Sequence, residues 1–157
     1  MAPHLQPDRL LGRTGVRVPL IGWGLGAMKM ISIDRAAGKQ ALDLVVEQGR
    51  ERLKKGFYVI IFPEGTRRAV DAPPQYKFGV AQIYAETDAT CLPAALNAGL
   101  FWPRRSFLRK PGTVVLEFLD PIPPGMTKAA FLRELENRIE TATNRLVAEA
   151  RAKDPSL

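Results

Sequence analysis

The stretch from Phe57 to Arg68 constrains the fold more than any other part of the chain. It begins with an apolar run of aromatic and β-branched residues, which predicts a buried strand over residues 57–62. Pro63 ends this strand because proline has no N–H for a ladder hydrogen bond. Gly65 then permits backbone angles that other residues resist. The sequence therefore predicts a strand that runs into a tight polar loop.

The residues of this loop suit an anionic ligand. Loops at the carboxyl ends of strands are where open α/β sheets bind their ligands. Gly65 leaves backbone amides accessible, and Thr66 offers a hydroxyl. The planar guanidinium groups of Arg67 and Arg68 match the geometry of a phosphate. Glu64 would repel a phosphate, so we expect it to pair with an arginine or to accept a hydrogen bond from a ligand hydroxyl. The alternative is an ordinary strand followed by a solvated turn.

Helical and strand patterns alternate along the rest of the chain, which favours an α/β fold with a central sheet covered by helices. A length of 157 residues fits a single domain, residues 1–157. Thr127 is placed to cap the last helix, and Gly56 to end the first one. The predicted elements are an irregular segment 1–17, helices 36–55, 80–86 and 127–152, and strands 31–33, 57–62, 90–95 and 113–119.

Composition narrows the classes of partner. The net charge of +7 favours anionic partners, which include phosphorylated substrates, an anionic membrane surface and nucleic acid. One cysteine, Cys91, excludes a disulfide framework within the chain and is typical of a reducing compartment. Cys91 and the single histidine, His4, are too few to favour a metal site. No stretch reaches the roughly 18 apolar residues of a spanning helix, and no signal peptide is evident.

The string Phe-Pro-Glu-Gly-Thr-Arg at residues 62–67 resembles the signature block of the glycerolipid acyltransferases. Further blocks resemble the same family in the same order, over residues 18–123. The resemblance is to the bacterial 1-acylglycerol-3-phosphate acyltransferases. The additional blocks are residues 19–35, which end in Asp34-Arg35, Tyr76-Lys77-Phe78-Gly79, residues 91–95, residues 97–105 and residues 110–113.

The resemblance implies a helix-covered central sheet of the glycerolipid acyltransferase type, incomplete at its N-terminus. It implies acyl transfer from acyl-CoA or acyl-carrier protein to the 2-hydroxyl of 1-acylglycerol 3-phosphate, which gives phosphatidic acid. No bound cofactor is implied, because the acyl thioester is a substrate. It also implies a peripheral location on the cytoplasmic face of the cell membrane. By the same resemblance the acceptor is bound by Arg35, Glu64, Gly65, Thr66 and Arg67, with Lys77, Arg104 and Arg105 as secondary candidates.

The sequence departs from the family at the catalytic dyad. The family uses a histidine and an aspartate separated by four residues, in which the histidine acts as general base and the aspartate orients it. The nearest match is His4 and Asp8, but only three residues separate them and Pro7 is one of the three. We therefore expect a member of the family that lacks its N-terminal part and is inactive as written.

Two other classes of function remain open. The first is a non-catalytic module that binds lipid phosphate or a membrane surface. The second is nucleic-acid binding, which has little support because the cations form no recognised module. Only residues 102–110 interleave aromatic side chains with cations. This loop could contact an anionic membrane or the phosphates of acyl-CoA, or it could simply be solvated.

Overall fold

The computed structural model describes residues 38–104 and 106–157. These residues divide after Phe57 into two compact units. The first consists of helix α1, Gly38–Lys54, with the residues that end it. The second, residues 58–157, contains α2 (Phe78–Thr87), β1 (Ala94–Leu96), α3 (Ala98–Phe101), β2 (Leu116–Phe118) and α4 (Lys128–Lys153).

Helix α1 confirms the predicted helix over its described residues. Val45 and Val46 are buried, whereas the charged side chains on the other side are exposed. Gly56 ends the helix with a positive φ of 78°. The Phe57 N–H donates to the Arg52 carbonyl at 3.0 Å, and the Gly56 N–H donates to the Leu53 carbonyl at 2.9 Å. This pair of bonds is a Schellman motif, which satisfies carbonyls that the end of a helix would leave unpaired.

The core of residues 58–157 forms where α2 packs against α4. The Tyr84 and Phe131 rings stack with their centroids 3.8 Å apart. Phe131 is fully buried, as is the neighbouring Ile122, and Val80, Ala81 and Leu135 complete the cluster. The short predicted helix at residues 80–86 is therefore confirmed, because α2 contains it and supplies the inner face of this core.

The described residues contain one small sheet, in which β1 and β2 pair antiparallel. Ala95 lies opposite Glu117 and packs against Ala142 and Leu146 of α4. An isolated bridge between Cys91 and Ile122 extends the pairing. The strands predicted at 90–95 and 113–119 are thus present but shorter, and a helical turn, α3, lies between them.

The strand predicted over residues 57–62 is absent from the part of the chain that the structure describes. Tyr58 is 96% exposed and Ile60 is 83% exposed, so the expected burial is also wrong here. A β-strand needs a hydrogen-bonded neighbour, and among the described residues only 94–96 and 116–118 pair as strands. The apolar run indicated a tendency to form a strand, but it could not show whether a partner strand lies beside it.

Helix α4 confirms the predicted C-terminal helix and its cap. The Thr127 hydroxyl accepts a hydrogen bond from the Ala130 N–H, which is the N-cap arrangement. One face buries Phe131, Leu135 and Leu146 against the rest of this unit. Among the helices that the structure describes, none is long and apolar enough to cross a membrane.

Candidate functional site: a signature turn beside a cluster of cations

Residues 62–65 form a tight turn. The Gly65 N–H donates to the Phe62 carbonyl at 2.9 Å, so Pro63 and Glu64 are the central residues of a β-turn. Proline suits the first central position because its ring presets φ. Gly65 has a φ of 68°, which a side chain would strain. The sequence Phe-Pro-Glu-Gly therefore specifies this turn locally.

Lys77 lies against the turn. Its N–H donates to the Pro63 carbonyl at 2.8 Å, and its Cγ lies 3.9 Å from the position that a Cβ on Gly65 would take. Lys77 is the extended residue immediately before α2, and its side chain is exposed. The structure thus brings the secondary candidate Lys77 to the signature turn and fixes it there through the backbone.

Glu64 pairs with an arginine, as the sequence led us to expect. Its Oε1 lies 3.6 Å from Arg68 Nε and accepts a 3.4 Å hydrogen bond from the Gln75 N–H. Arg68 Nη1 donates to the Gln75 side chain at 2.9 Å. These contacts hold the Arg68 guanidinium on the Glu64 side of the loop, so the two signature arginines have different surroundings.

Arg67 instead meets a second cation at an indole ring. Its Cζ lies 5.3 Å from the centre of the Trp102 ring, and Arg109 Cζ lies 4.1 Å from the same centre. Both distances fall within the range of a cation–π contact. Trp102 attracts each guanidinium and so offsets part of their mutual repulsion. The result is a concentration of positive charge beside the signature turn, at an exposed place where an anion could approach.

Tyr76 anchors the same segment to α4. Its hydroxyl donates to Glu140 Oε1 at 3.0 Å. Burial raises the pKa of the Tyr76 phenol well above its usual range, and the nearby Glu140 carboxylate raises it further because a phenolate would be repelled. Tyr76 therefore stays protonated and serves as a donor, which positions the residues leading to Lys77.

Several candidate site residues either lie outside the described part of the chain or are exposed to solvent. His4, Asp8, Arg35 and Arg105 lie outside the described residues. Thr66 and Arg104 are exposed.

Within residues 38–104 and 106–157, no cluster of metal-ligating side chains is present. Cys91 is half-buried, and burial raises the pKa of its thiol, which is the opposite of what an activated nucleophile needs.

An open groove of about 470 Å³ lies between β2 and α4. No signature residue lines it. The Glu117–Arg145 ion pair and the Arg138 side chain form part of its walls. Arg138 is already engaged, because it donates to the Asp120 carbonyl and pairs with Glu134. The groove is therefore no better a candidate than the signature turn, where the exposed cations converge.

Sequence reasoning missed the part that Trp102 plays. The interleaving of aromatics and cations in residues 102–110 was visible, and the family resemblance named Arg104 and Arg105, but neither predicted that Arg67 and Arg109 contact the Trp102 ring. It also missed Asn97, which is buried and polar. The Asn97 side-chain oxygen accepts from the Val115 N–H at 2.8 Å, and the Asn97 backbone N–H donates to the Val115 carbonyl at 3.4 Å. This contact joins the start of α3, and with it the approach to Trp102, to the segment before β2.

Comparison with known proteins agrees with the signature. Residues 6–97 match the family model described as Acyltransferase, which covers more than half of the chain. The chain therefore belongs to the acyltransferase family.

Curated relatives of the chain include acyltransferases of bacteria, fungi and plants. The chain is 35% identical to the 1-acyl-sn-glycerol-3-phosphate acyltransferase of Pseudomonas aeruginosa over 90% of its own length and 55% of that protein. It is 28% identical to an uncharacterized acyltransferase of Schizosaccharomyces pombe over 84% of its length and 48% of that protein. A chloroplastic 1-acyl-sn-glycerol-3-phosphate acyltransferase of Arabidopsis thaliana is 32% identical over 56% of this chain and 25% of its own. The chain thus spans about half the length of the first two relatives. No solved structure matches it.

Proposed function

We propose that the chain forms the acceptor-binding part of a 1-acylglycerol-3-phosphate acyltransferase. The observation that carries this proposal is the cluster around the signature turn. Arg67 and Arg109 share the Trp102 ring, and Lys77 lies against Gly65. Relatives that carry the name of this activity support the choice of acceptor. For the whole protein we infer a helix-covered central sheet of the glycerolipid acyltransferase type.

The proposed reaction forms one ester bond and breaks one thioester bond. The 2-hydroxyl of 1-acylglycerol 3-phosphate attacks the acyl carbonyl of acyl-CoA or acyl-carrier protein. The hydroxyl proton passes to a base, the C–S bond breaks, and the thiolate leaves and takes up a proton. The products are phosphatidic acid and the free thiol. No redox partner is needed.

In this reaction the described residues act on the acceptor phosphate. Arg67 supplies charge-assisted hydrogen bonds, which are the strong kind for a phosphomonoester. Lys77 adds a second cation at the turn, and in the proposed complex the backbone N–H groups after Gly65 donate to the phosphate. Arg68 holds Glu64 in an ion pair, which reduces the repulsion that its carboxylate would exert on the phosphate. We further propose that Arg35 joins this set.

The location follows from the chemistry of the substrates. Lysophosphatidic acid and phosphatidic acid are membrane lipids, whereas the acyl donors are carried in the cytosol. We therefore infer a peripheral position on the cytoplasmic face of the cell membrane. The net charge of +7 favours contact with an anionic membrane surface.

The 157 residues by themselves are not expected to transfer acyl groups. The sequence contains one histidine, His4, and no histidine followed by aspartate after four intervening residues. The same observation favours a second candidate function, a non-catalytic module that binds lipid phosphate. Purified chain, oleoyl-CoA and lysophosphatidic acid should release no thiol above background. Acyl transfer that survives His4→Ala would contradict this expectation.

Acceptor binding tests the proposal directly. We expect short-chain lysophosphatidic acid, used below its micelle concentration, to bind more tightly than lysophosphatidylcholine, which has no phosphomonoester. Arg67→Ala should weaken binding by roughly 10- to 100-fold, because a hydrogen bond to a charged group contributes about 1.5–3 kcal/mol. Arg133→Ala is the matched control, since Arg133 is exposed on α4 away from the turn. Equal loss in both variants would show that only net charge matters and would overturn the proposal.

A further inference from the structure

The segment of residues 106–110 is an exposed loop that hydrogen bonds from Lys110 hold in place. The Lys110 N–H donates to the Phe101 carbonyl at 2.9 Å, and Lys110 Nζ donates to the Ser156 carbonyl at 2.6 Å. Gly112 lies so close to Phe101 that a Cβ there would overlap the buried ring. The loop is therefore attached both to α3 and to the end of the chain.

The tip of the loop has its own hydrogen bonds. The Leu108 N–H donates to the Ser106 hydroxyl oxygen at 3.1 Å, and the same hydroxyl donates to the Leu108 carbonyl at 3.2 Å. The Ser106 N–H donates to the Pro103 carbonyl at 3.4 Å. Ser106 thus closes a local turn, and this turn fixes the direction in which the next two side chains project.

Those two side chains are apolar and almost fully exposed. Phe107 is 97% exposed and Leu108 is 81% exposed. A single exposed apolar side chain needs no explanation, but two adjacent ones on a braced turn form a small apolar projection. Trp102, about half of which is exposed, lies at its base under Arg109. The projection contributes nothing to the core of residues 58–157.

The segment that carries the projection is rich in cations. From Trp102 to Gly112 the sequence contains four, Arg104, Arg105, Arg109 and Lys110, and no acidic residue. One carboxylate that interacts with the loop is that of Asp154, whose pKa is lowered by its bonds to Ser156 and in part by Lys110. Asp154 offsets one positive charge at most, so the loop remains strongly cationic.

We propose that residues 106–110 are a membrane-docking tip for an anionic phospholipid bilayer. Phe107 and Leu108 enter the boundary between headgroups and acyl chains, while Arg104, Arg109 and Lys110 contact the phosphates. An amphipathic side chain such as Trp102 is favoured at that depth. The inference rests on the proposed function for bringing the chain to membrane lipids, and on the loop geometry for the surface itself.

A bilayer fits this surface better than the other partners do. A stable protein interface buries about 800 Å² on each partner, and two projecting side chains offer only a small part of that area. A nucleic acid would use the cations but would leave the aliphatic Leu108 side chain in water. A bilayer can bury the apolar tip among its lipids while its anionic headgroups attract the nearby cations.

The test is cosedimentation of the full 157-residue chain with vesicles that contain neither lysophosphatidic acid nor acyl donor. Binding to phosphatidylcholine with 30% phosphatidylglycerol should exceed binding to phosphatidylcholine alone and should weaken in high salt. Phe107→Ser/Leu108→Ser should reduce the partition coefficient by about tenfold or more. Arg104→Gln/Lys110→Gln should reduce it by roughly fivefold per charge on anionic vesicles only.

Leu116→Ser/Phe118→Ser is the matched control for the apolar tip. It removes another exposed leucine and phenylalanine, from β2, by the same substitutions. Circular dichroism and the thermal midpoint establish that each variant is folded. If the control loses as much binding as the tip variant, or if the tip variant keeps full binding, the proposal is wrong. Displacement by coenzyme A would indicate a nucleotide site and would also overturn it.

The assay separates this inference from the proposed function. Binding of soluble short-chain lysophosphatidic acid does not require a vesicle, and vesicle binding here does not require the acceptor. A tip variant that loses vesicle binding but keeps acceptor binding supports the docking surface. A chain that binds vesicles through the tip but does not bind the acceptor supports the docking surface and contradicts the proposed function.

Discussion

The Arg67 guanidinium lies 5.3 Å from the centre of the Trp102 ring, which joins the signature turn to the basic loop that follows α3. The Arg109 guanidinium lies 4.1 Å from the centre of the same ring. The two arginines therefore contact the same aromatic side chain. We expect Trp102 to position Arg67 for the phosphate that we propose it binds.

Trp102→Ala should weaken binding of short-chain lysophosphatidic acid by about two- to fivefold. A cation–π contact at a half-exposed site contributes about 0.5–1 kcal/mol, and its loss frees the Arg67 side chain to move. Trp102→Phe should restore part of the affinity, since phenylalanine keeps a ring. Titration calorimetry gives both values. If the alanine and phenylalanine variants bind equally well, the ring does not position Arg67.

Gly65→Ala should lower both stability and acceptor binding. A side chain at φ 68° is strained, so we expect a loss of about 1 kcal/mol or more in the free energy of unfolding. Gly125→Ala is the control, because Gly125 also has a positive φ, 105°, but lies in the segment before α4. Urea denaturation should show a loss in both variants. Only Gly65→Ala should also lose affinity, and a loss of affinity in both would show a general effect of destabilisation.

Asn97→Ala should destabilise residues 58–157 by about 1–3 kcal/mol. The substitution leaves the Val115 N–H without its 2.8 Å acceptor in a site where the Asn97 side chain is buried. Asn97→Asp keeps the acceptor oxygen for the Val115 N–H but buries a negative charge and turns a second oxygen toward the Thr113 carbonyl, so it should also destabilise the chain. Denaturant unfolding followed by circular dichroism measures both. An unchanged unfolding midpoint for Asn97→Ala would show that the Asn97 hydrogen bond to Val115 does not stabilise this unit.

Stability should fall at alkaline pH through Tyr76. Its pKa in the folded chain lies above the ordinary value of 10.0, because of burial and because Glu140, Glu64 and Glu136 surround the hydroxyl. A raised pKa means that the unfolded chain loses this proton first. The contribution of Tyr76 is therefore fully present below about pH 10 and declines as the pH rises above it.

Tyr76→Phe isolates this contribution from the lysines that titrate in the same range. The difference in unfolding free energy between the wild type and Tyr76→Phe should be constant from pH 7 to about pH 9 and should shrink above about pH 10. Absorbance of the phenolate near 295 nm reports the titration independently. A difference that stays constant up to pH 11 would mean that the Tyr76 pKa is not raised.

The local features of the fold were predictable from the sequence, because short-range interactions specify them. Gly56 ends α1, Thr127 caps α4, and Glu64 pairs with an arginine close to it in sequence. Each depends on the geometry of a few consecutive residues. The strand predicted at residues 57–62 was wrong because a strand needs a hydrogen-bonded neighbour, which the local sequence does not specify.

The candidate site divides in the same way. The sequence by itself determined the turn at residues 62–65, the cations beside it and the family to which the chain belongs. The tertiary structure alone decided that Trp102 joins Arg67 to Arg109, that Lys77 lies against Gly65, and that Phe107 and Leu108 project from a braced loop. Contacts between residues distant in sequence depend on how α3, β2 and α4 pack, and that packing is a property of the folded chain.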